Sequence, residues 1–172
     1  MNLFIGNLPS PVGTLTLVWD EQGALRALDF EGFEERFQRL LVAHYGKCDL
    51  SPAQAPSELG SALEAYFAGD FGPVDRLTVR TNGTPFQQQV WAALREIPAG
   101  TTMSYGQLAQ KMGRPSASRA VGRANGSNPV GIVVPCHRVI GANGSLTGYG
   151  GGMDRKRWLL DHERTHLFQL AG

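Results

Sequence analysis

The spacing of apolar and polar residues changes character several times along this chain. Thr14-Leu15-Thr16-Leu17-Val18-Trp19 and Ala24-Leu25-Arg26-Ala27-Leu28-Asp29-Phe30 flank Asp20-Glu21-Gln22-Gly23, and predict a β-hairpin. Phe33, Phe37, Leu40, Leu41 and His44 then recur at helical spacing. Ser51 to Pro56 reads as a loop, and Leu59, Leu63, Tyr66 and Phe67 form the stripe of another helix. Leu77-Thr78-Val79-Arg80 predicts a last strand. Thr81-Asn82-Gly83 is a short polar linker, which divides the chain into residues 1–80 and 81–172.

The second part is patterned for short helices. Thr84-Pro85-Phe86-Gln87 has the capping-box spacing with proline at the first helical position, and Phe86, Val90, Leu94 and Ile97 follow on one stripe. Pro98-Ala99-Gly100 ends that helix. Ser104-Tyr105-Gly106-Gln107 starts a second one, which runs to Met112-Gly113. After Arg114-Pro115, Ser116 is placed to cap a third, ending at Asn125-Gly126. The last two helices have the outline of a helix-turn-helix. Arg119 and Arg123 share a face of the third helix, among small residues that would let it approach a nucleic-acid backbone. An ordinary helical hairpin fits that pattern equally well. Asp154 is placed to cap a final helix carrying Trp158, Leu159, Leu160 and Glu163.

Between these helices lies the segment with chemistry. Asn128-Pro129 breaks the third helix, and Val130-Gly131-Ile132-Val133-Val134 predicts a buried strand that ends in Pro135-Cys136-His137-Arg138-Val139. A thiol beside groups that carry protons or positive charge is where a nucleophilic cysteine is sought. In an extended strand Cys136 and His137 would point to opposite faces. Either the backbone turns at Pro135-Cys136, or a water carries the proton between them. Glu163 is the candidate to orient His137, which would give a Cys–His–Glu arrangement. Gly141-Ala142-Asn143-Gly144 reads as a hairpin turn. Thr147 to Gly152 is a glycine-rich loop with neither a dinucleotide fingerprint nor a P-loop pattern.

Composition narrows the classes. The chain has 172 residues, 42% hydrophobic and 18% charged, an ordinary globular balance and an α+β pattern. No apolar run approaches a membrane span and no secretory leader precedes the hairpin, so a cytoplasmic location is expected. The two cysteines, Cys48 and Cys136, are expected to be free, and the four histidines lack zinc-finger spacing, so no metal is expected. The net charge of +1 conceals an asymmetry. Residues 1–96 hold 7 Lys/Arg against 12 Asp/Glu, residues 97–172 hold 9 against 3, and Ile97 to Met153 contains no acid. A one-signed segment suits a polyanion, although on charge alone a mildly basic solvated surface describes it slightly better.

The ordered motifs resemble those of the O6-alkylguanine-DNA alkyltransferases. Pro135 to Val139 is similar to that family's active-site signature. The likeness continues through Ser104 to Ala109, Arg119-Ala120-Val121-Gly122, Asn125 to Pro129, Gly148-Tyr149 and Trp158 to Glu163. It is strongest over residues 84–164. The resemblance implies a ribonuclease-H-like α/β domain, then a mainly helical, winged-helix-like domain with the helix-turn-helix. It implies that an alkylated base is flipped from duplex DNA to Cys136, which takes the alkyl group irreversibly. His137, through a water, would take the thiol proton and Glu163 would polarise it. Tyr105 would bond the flipped purine, and Asn128 would fix the turn before the cysteine. Arg119 would fill the space left in the stack, with Ser104, Ala120, Arg123, Asn125 and Gly126 against DNA. The carbonyls near Cys136 and Val139 would read the exocyclic amine, beside Tyr149. Gly131 and Gly150 replace bulkier or hydroxyl-bearing residues of some relatives, which implies a site open to alkyl groups larger than methyl. The lesions expected are O6-alkylguanine and O4-alkylthymine.

The implied partner is double-stranded DNA carrying alkylated bases, bound by a monomer with or without cooperativity along the DNA. No cofactor is implied, because the lesion itself donates the alkyl group. A module that grips alkylated bases without transfer is the alternative, and the presence of Cys136 weighs against it. A cysteine hydrolase would need an oxyanion site and a peptide cleft, for which the sequence has no signal. A generic helix-turn-helix regulator would leave the cysteine motif unexplained.

Overall fold

The computed structural model describes residues 1–146 and 148–171, the last four by backbone alone, so Thr147 of the expected glycine-rich loop lies outside the described residues. The chain forms two compact units, Met1–Asn82 with Pro129–Val133, and Gly83–Asn128 with Val134–Gly172. The linker at Thr81–Gly83 thus coincides with the first crossing. The later excursion of Pro129–Val133 into the first unit was not expected from the sequence.

The first unit is built on a four-stranded sheet. β1 (Asn2–Leu8), β2 (Leu15–Asp20), β3 (Leu25–Phe30) and β4 (Asp49–Pro52) are arranged β3-β2-β1-β4. β2 and β3 make the expected antiparallel hairpin, with Leu17 opposite Leu28 and Val18 opposite Ala27. The Asp20 carboxylate closes its turn by accepting from the Gln22 and Ala24 N–H groups, each at 3.0 Å. β1 also pairs antiparallel with β2, which places Ile5 opposite Val18. Leu3, Val18 and Ala27 pack with Phe37 and Leu41 of α1 (Glu34–Tyr45). β1 and β4 escaped the sequence reading. Gly6-Asn7 breaks the alternation of β1, and β4 is a four-residue edge strand ending in proline, after which Ala53 N–H still donates to the Ile5 carbonyl of β1 at 2.9 Å. Ser51 and Pro52 therefore belong to a strand rather than to a loop. α2 (Ser57–Phe67) buries Leu59, Leu63 and Tyr66 as its stripe predicts, and a short α3 (Gly72–Asp75) follows. The strand expected at Leu77–Arg80 is reduced to one bridge, Val79 with Leu25.

Pro129–Val133 also departs from expectation. Val130 makes a single parallel bridge to Leu28, with Leu28 N–H on the Pro129 carbonyl at 3.0 Å and Gly131 N–H on the Leu28 carbonyl at 3.0 Å. The run then turns instead of extending. Val133 N–H bonds the Gly131 carbonyl at 2.8 Å across Ile132, whose φ is +67°, so this is a γ-turn in the left-handed region that a β-branched residue rarely adopts. A continuous apolar run signals burial, and all of Val130, Ile132, Val133 and Val134 are buried, but it does not fix an extended backbone.

The second unit holds the remaining elements. α4 (Pro85–Arg95) and α5 (Tyr105–Lys111) both start with complete capping boxes, Thr84 with Gln87 and Ser104 with Gln107. α6 (Ser118–Gly126) follows α5 closely, as a helix-turn-helix requires. Ser116 does not cap it. The N-cap residue is Ala117, which has no oxygen to offer, and no side chain caps the helix. Trp91 of α4 donates its indole N–H to the Ala124 carbonyl of α6 at 2.9 Å. Gly83 makes room for that ring, since a Cβ there would stand 2.4 Å from it. β5 (Met103–Ser104) and β6 (Val139–Ile140) pair in parallel, so Gly141–Gly144 closes a turn but joins no hairpin through β6. α7 (Met153–Ala171) starts one residue before Asp154, which lies in its first turn rather than capping it.

Candidate active site

Cys136, His137 and Arg138 form one turn of 3-10 helix. Pro135 sets it up with φ −82° and ψ 65°, and Cys136 N–H bonds the Val134 carbonyl at 2.8 Å, an inverse γ-turn. The backbone therefore turns at Pro135-Cys136, which removes the strand geometry that would have sent the thiol and the imidazole to opposite faces. Cys136 is 8% exposed and His137 fully buried.

His137 faces α7. Its Nε2 lies 2.7 Å from Glu163 Oε2, while Nδ1 is buried with no hydrogen-bond partner among the described residues. A neutral ring that donates from Nε2 keeps its lone pair on Nδ1, ready to accept a proton. The Tyr149 ring stands edge-on to the imidazole at 6.4 Å between centroids. Glu163 is gripped on its other side by Arg138, whose Nε donates to Oε1 at 2.9 Å and whose Nη2 donates to Oε2 at 3.0 Å. Arg138 Nη1 also donates to the Ile97 carbonyl at 2.7 Å. Burial alone would raise the Glu163 pKa. The His137 ring and the Arg138 fork outweigh it and hold the carboxyl well below the usual carboxylate range.

Two asparagines brace the turn. Asn128 Nδ2 donates to the Val134 carbonyl at 2.9 Å, so this side chain does tie the segment after α6 to the segment before the cysteine. Asn125 was expected against DNA. It is only 6% exposed, and its Nδ2 points to the Cys136 carbonyl at 3.4 Å. The helical period explains this, because Val121, Ala124 and Asn125 share the buried face of α6 while Arg119, Arg123 and Gly126 share the exposed one. Ser104 spends its hydroxyl on the α5 cap, accepting from Gln107 N–H at 3.1 Å. Tyr105 is half-buried, with its ring over Gly122 of α6 (3.7 Å from where a Cβ would stand), and Ala120 is half-buried on the same helix. Val139 is fully buried, and Gly150 is half-buried in the loop before α7. Gly131 alone of the expected site residues falls in the first unit.

The sequence reading missed Lys156. Its side chain is fully buried and donates from Nζ to the Val139 carbonyl at 2.7 Å. The signal was present, since Lys156, Leu159, Leu160 and Glu163 follow i, i+3, i+4, i+7 and are all buried. A lysine on the apolar stripe of a helix is an anomaly. No group of three His, Cys, Asp or Glu side chains is placed to hold a metal among the described residues.

Residues 85–165 match the family model for the DNA-binding domain of 6-O-methylguanine DNA methyltransferase. A methylated-DNA–protein-cysteine methyltransferase of Shigella flexneri is 52% identical over 165 residues, covering 95% of this chain and 96% of that protein. This chain belongs to the methylated-DNA–protein-cysteine methyltransferase family. The relative of the same name from Methanosarcina acetivorans is 45% identical over 154 residues, 90% of this chain and 94% of its own length. A crystal structure of Mycobacterium tuberculosis OGT in complex with DNA superposes with a TM-score of 0.80 at 41% identity, over 96% of this chain and 94% of that one. The α+β class expected from the sequence agrees with these family structures.

Proposed function

We infer that this methyltransferase repairs DNA by direct reversal. Its thiolate takes the alkyl group from O6-alkylguanine, and from O4-alkylthymine, in duplex DNA. The observation that carries this reading is the buried Cys136 on a turn whose next residue, His137, is clamped by Glu163 through Nε2 and keeps Nδ1 unengaged. The thiol proton passes through a water to Nδ1. Cys136 Sγ then forms a bond to the alkyl carbon as the carbon–oxygen bond breaks, and the restored base leaves and takes a proton, with Tyr105 assisting. Glu163 stabilises the imidazolium formed in between. The thioether is stable, and no group at the site is suited to hydrolyse it, so each molecule reacts once.

The helix-turn-helix supplies the approach to DNA. The exposed stripe Arg119, Arg123 and Gly126 on α6 faces the duplex, with Arg119 in the space vacated by the flipped base. The Cys136 and Val139 carbonyls accept from Asn125 and Lys156. A carbonyl has two lone pairs, so the Val139 oxygen can still accept from the exocyclic amine of the base, whereas the Cys136 oxygen also takes the Val139 N–H. A monomer acting in the cytoplasm fits this reading. No helix among the described residues is long and apolar enough to cross a membrane.

Incubation with duplex oligonucleotides carrying O6-methyl or O6-benzylguanine, followed by intact and peptide mass measurement, tests the proposal. One alkyl group per molecule, located on Cys136, is expected. Benzyl transfer at a rate near that of methyl would bear out the roomier site implied by Gly131 and Gly150. Cys136→Ala should bind the lesion and remain unmodified; methyl found on the variant would rule out the nucleophile.

A further inference from the structure

The α7 stripe that brings Glu163 into the interior brings Lys156 with it. Fully burying an ammonium is costly unless negative charge or strong acceptors meet it. Its Nζ donates to the Val139 carbonyl at 2.7 Å. Val139 closes the 3-10 turn, with its own N–H on the Cys136 carbonyl. The ammonium is therefore fixed at one end of a three-residue turn whose other end is the nucleophile. Desolvation lowers the Lys156 pKa, and the charge of Cys136 opposes that shift. Such coupling is mutual: whatever a thiolate does to keep the proton on lysine, the ammonium does to keep it off the thiol. Of the other charges near the turn, Arg138 and Glu163 offset one another. Arg138 straddles both oxygens of Glu163 and His137 shares that carboxylate, while Arg155 on α7 donates to the Gly151 backbone carbonyl at 3.1 Å.

We propose that Lys156 is the electrostatic partner of the Cys136 thiolate, favouring the ionised nucleophile before DNA arrives. The proposal rests on Cys136 being the alkyl acceptor and adds a role for a residue outside the Cys–His–Glu line. Lys156 acts through Cys136, and its second task is to fix the Val139 carbonyl.

The test reads the thiol without DNA. In a Cys48→Ser background, the rate at which iodoacetamide modifies Cys136 is followed by peptide mass across pH. Lys156→Met, close in shape and neutral, should move the midpoint upward by about one pH unit, a roughly tenfold loss of thiolate below the midpoint. Lys156→Arg should move it back towards the parent value. A folded Lys156→Met protein with an unchanged midpoint would overturn the proposal and leave the lysine as a prop for Val139. If the methionine variant does not fold, the reciprocal experiment decides. The 13Cε resonance of Lys156 should titrate at lower pH in Cys136→Ser than in the parent, and identical titrations would overturn the proposal. Because these readouts omit DNA, a shifted midpoint without alkyl transfer from DNA would count against the repair reading alone.

Discussion

The two units bury charge in opposite ways. In the first, the interior is apolar, and the buried carboxylates Asp20 and Asp29 sit at the ends of β2 and β3. Each is met by a partly exposed arginine, Arg26 at 2.9 Å and Arg36 respectively, and by backbone N–H groups. These charges serve turns and strand ends. In the second, Glu163, His137, Arg138 and Lys156 lie in the middle, each 3% exposed or less, with Asn125 and Asn128 beside them. Removing a member of such a network leaves an uncompensated group in a medium of low dielectric. The sheet unit needs side chains of the right volume. The site needs every partner present, and the same bonds that hold it together fix the His137 ring.

Arg138→Met and Leu41→Ala should separate these two kinds of interior. Stranding Glu163 in Arg138→Met should cost about 3–5 kcal/mol and abolish alkyl transfer even by the folded fraction. Leu41→Ala, in the packing of α1 on the sheet, should cost about 2–5 kcal/mol while leaving transfer per folded molecule unchanged. Denaturant titration with a single-turnover assay at matched folded fraction checks both; equal loss of transfer in the two variants would erase the contrast.

Acid should affect the two units through different groups, and the Glu163 share has a definite sign. Its carboxyl is held below the unfolded value of 4.5 in the folded protein. The stability it contributes is full above that pH and is lost as pH falls towards the folded value. Thermal midpoints should therefore decline below about pH 4.5. Glu163→Gln should show a shallower decline from a lower starting stability. A decline as steep as the parent's would assign acid sensitivity to other carboxylates.

The smallest expected effect concerns helix starts. Ser104→Ala should lose about 1 kcal/mol, because the α5 capping box opens. Ser116→Ala should be silent, since the structure gives Ser116 no capping role at α6. Urea midpoints compare the two, and an equal shift would contradict the N-cap at Ala117.

Much of this was legible in the chain. Capping boxes depend on residues three apart, so Thr84–Gln87 and Ser104–Gln107 could be read directly, as could the hairpin whose turn Asp20 closes. Where residues sit in contact along the sequence, local chemistry fixed the outcome. The motif around Cys136 and its distal Glu163 was legible too, through resemblance. Tertiary structure decided the rest. β4 exists only because β1 offers an edge to pair with, and short polar strands have no signal of their own. Val130–Val134 looked extended because burial and extension share one pattern; its backbone groups are instead claimed by Leu28 and by Asn128. Asn125 turned inward and Lys156 reached the Val139 carbonyl because a helix face is assigned by what packs against it. By itself the sequence offered Cys136 as the candidate nucleophile and His137 as its candidate base. The long-range meeting of α6, α7 and one 3-10 turn decided how they are oriented, desolvated and charged.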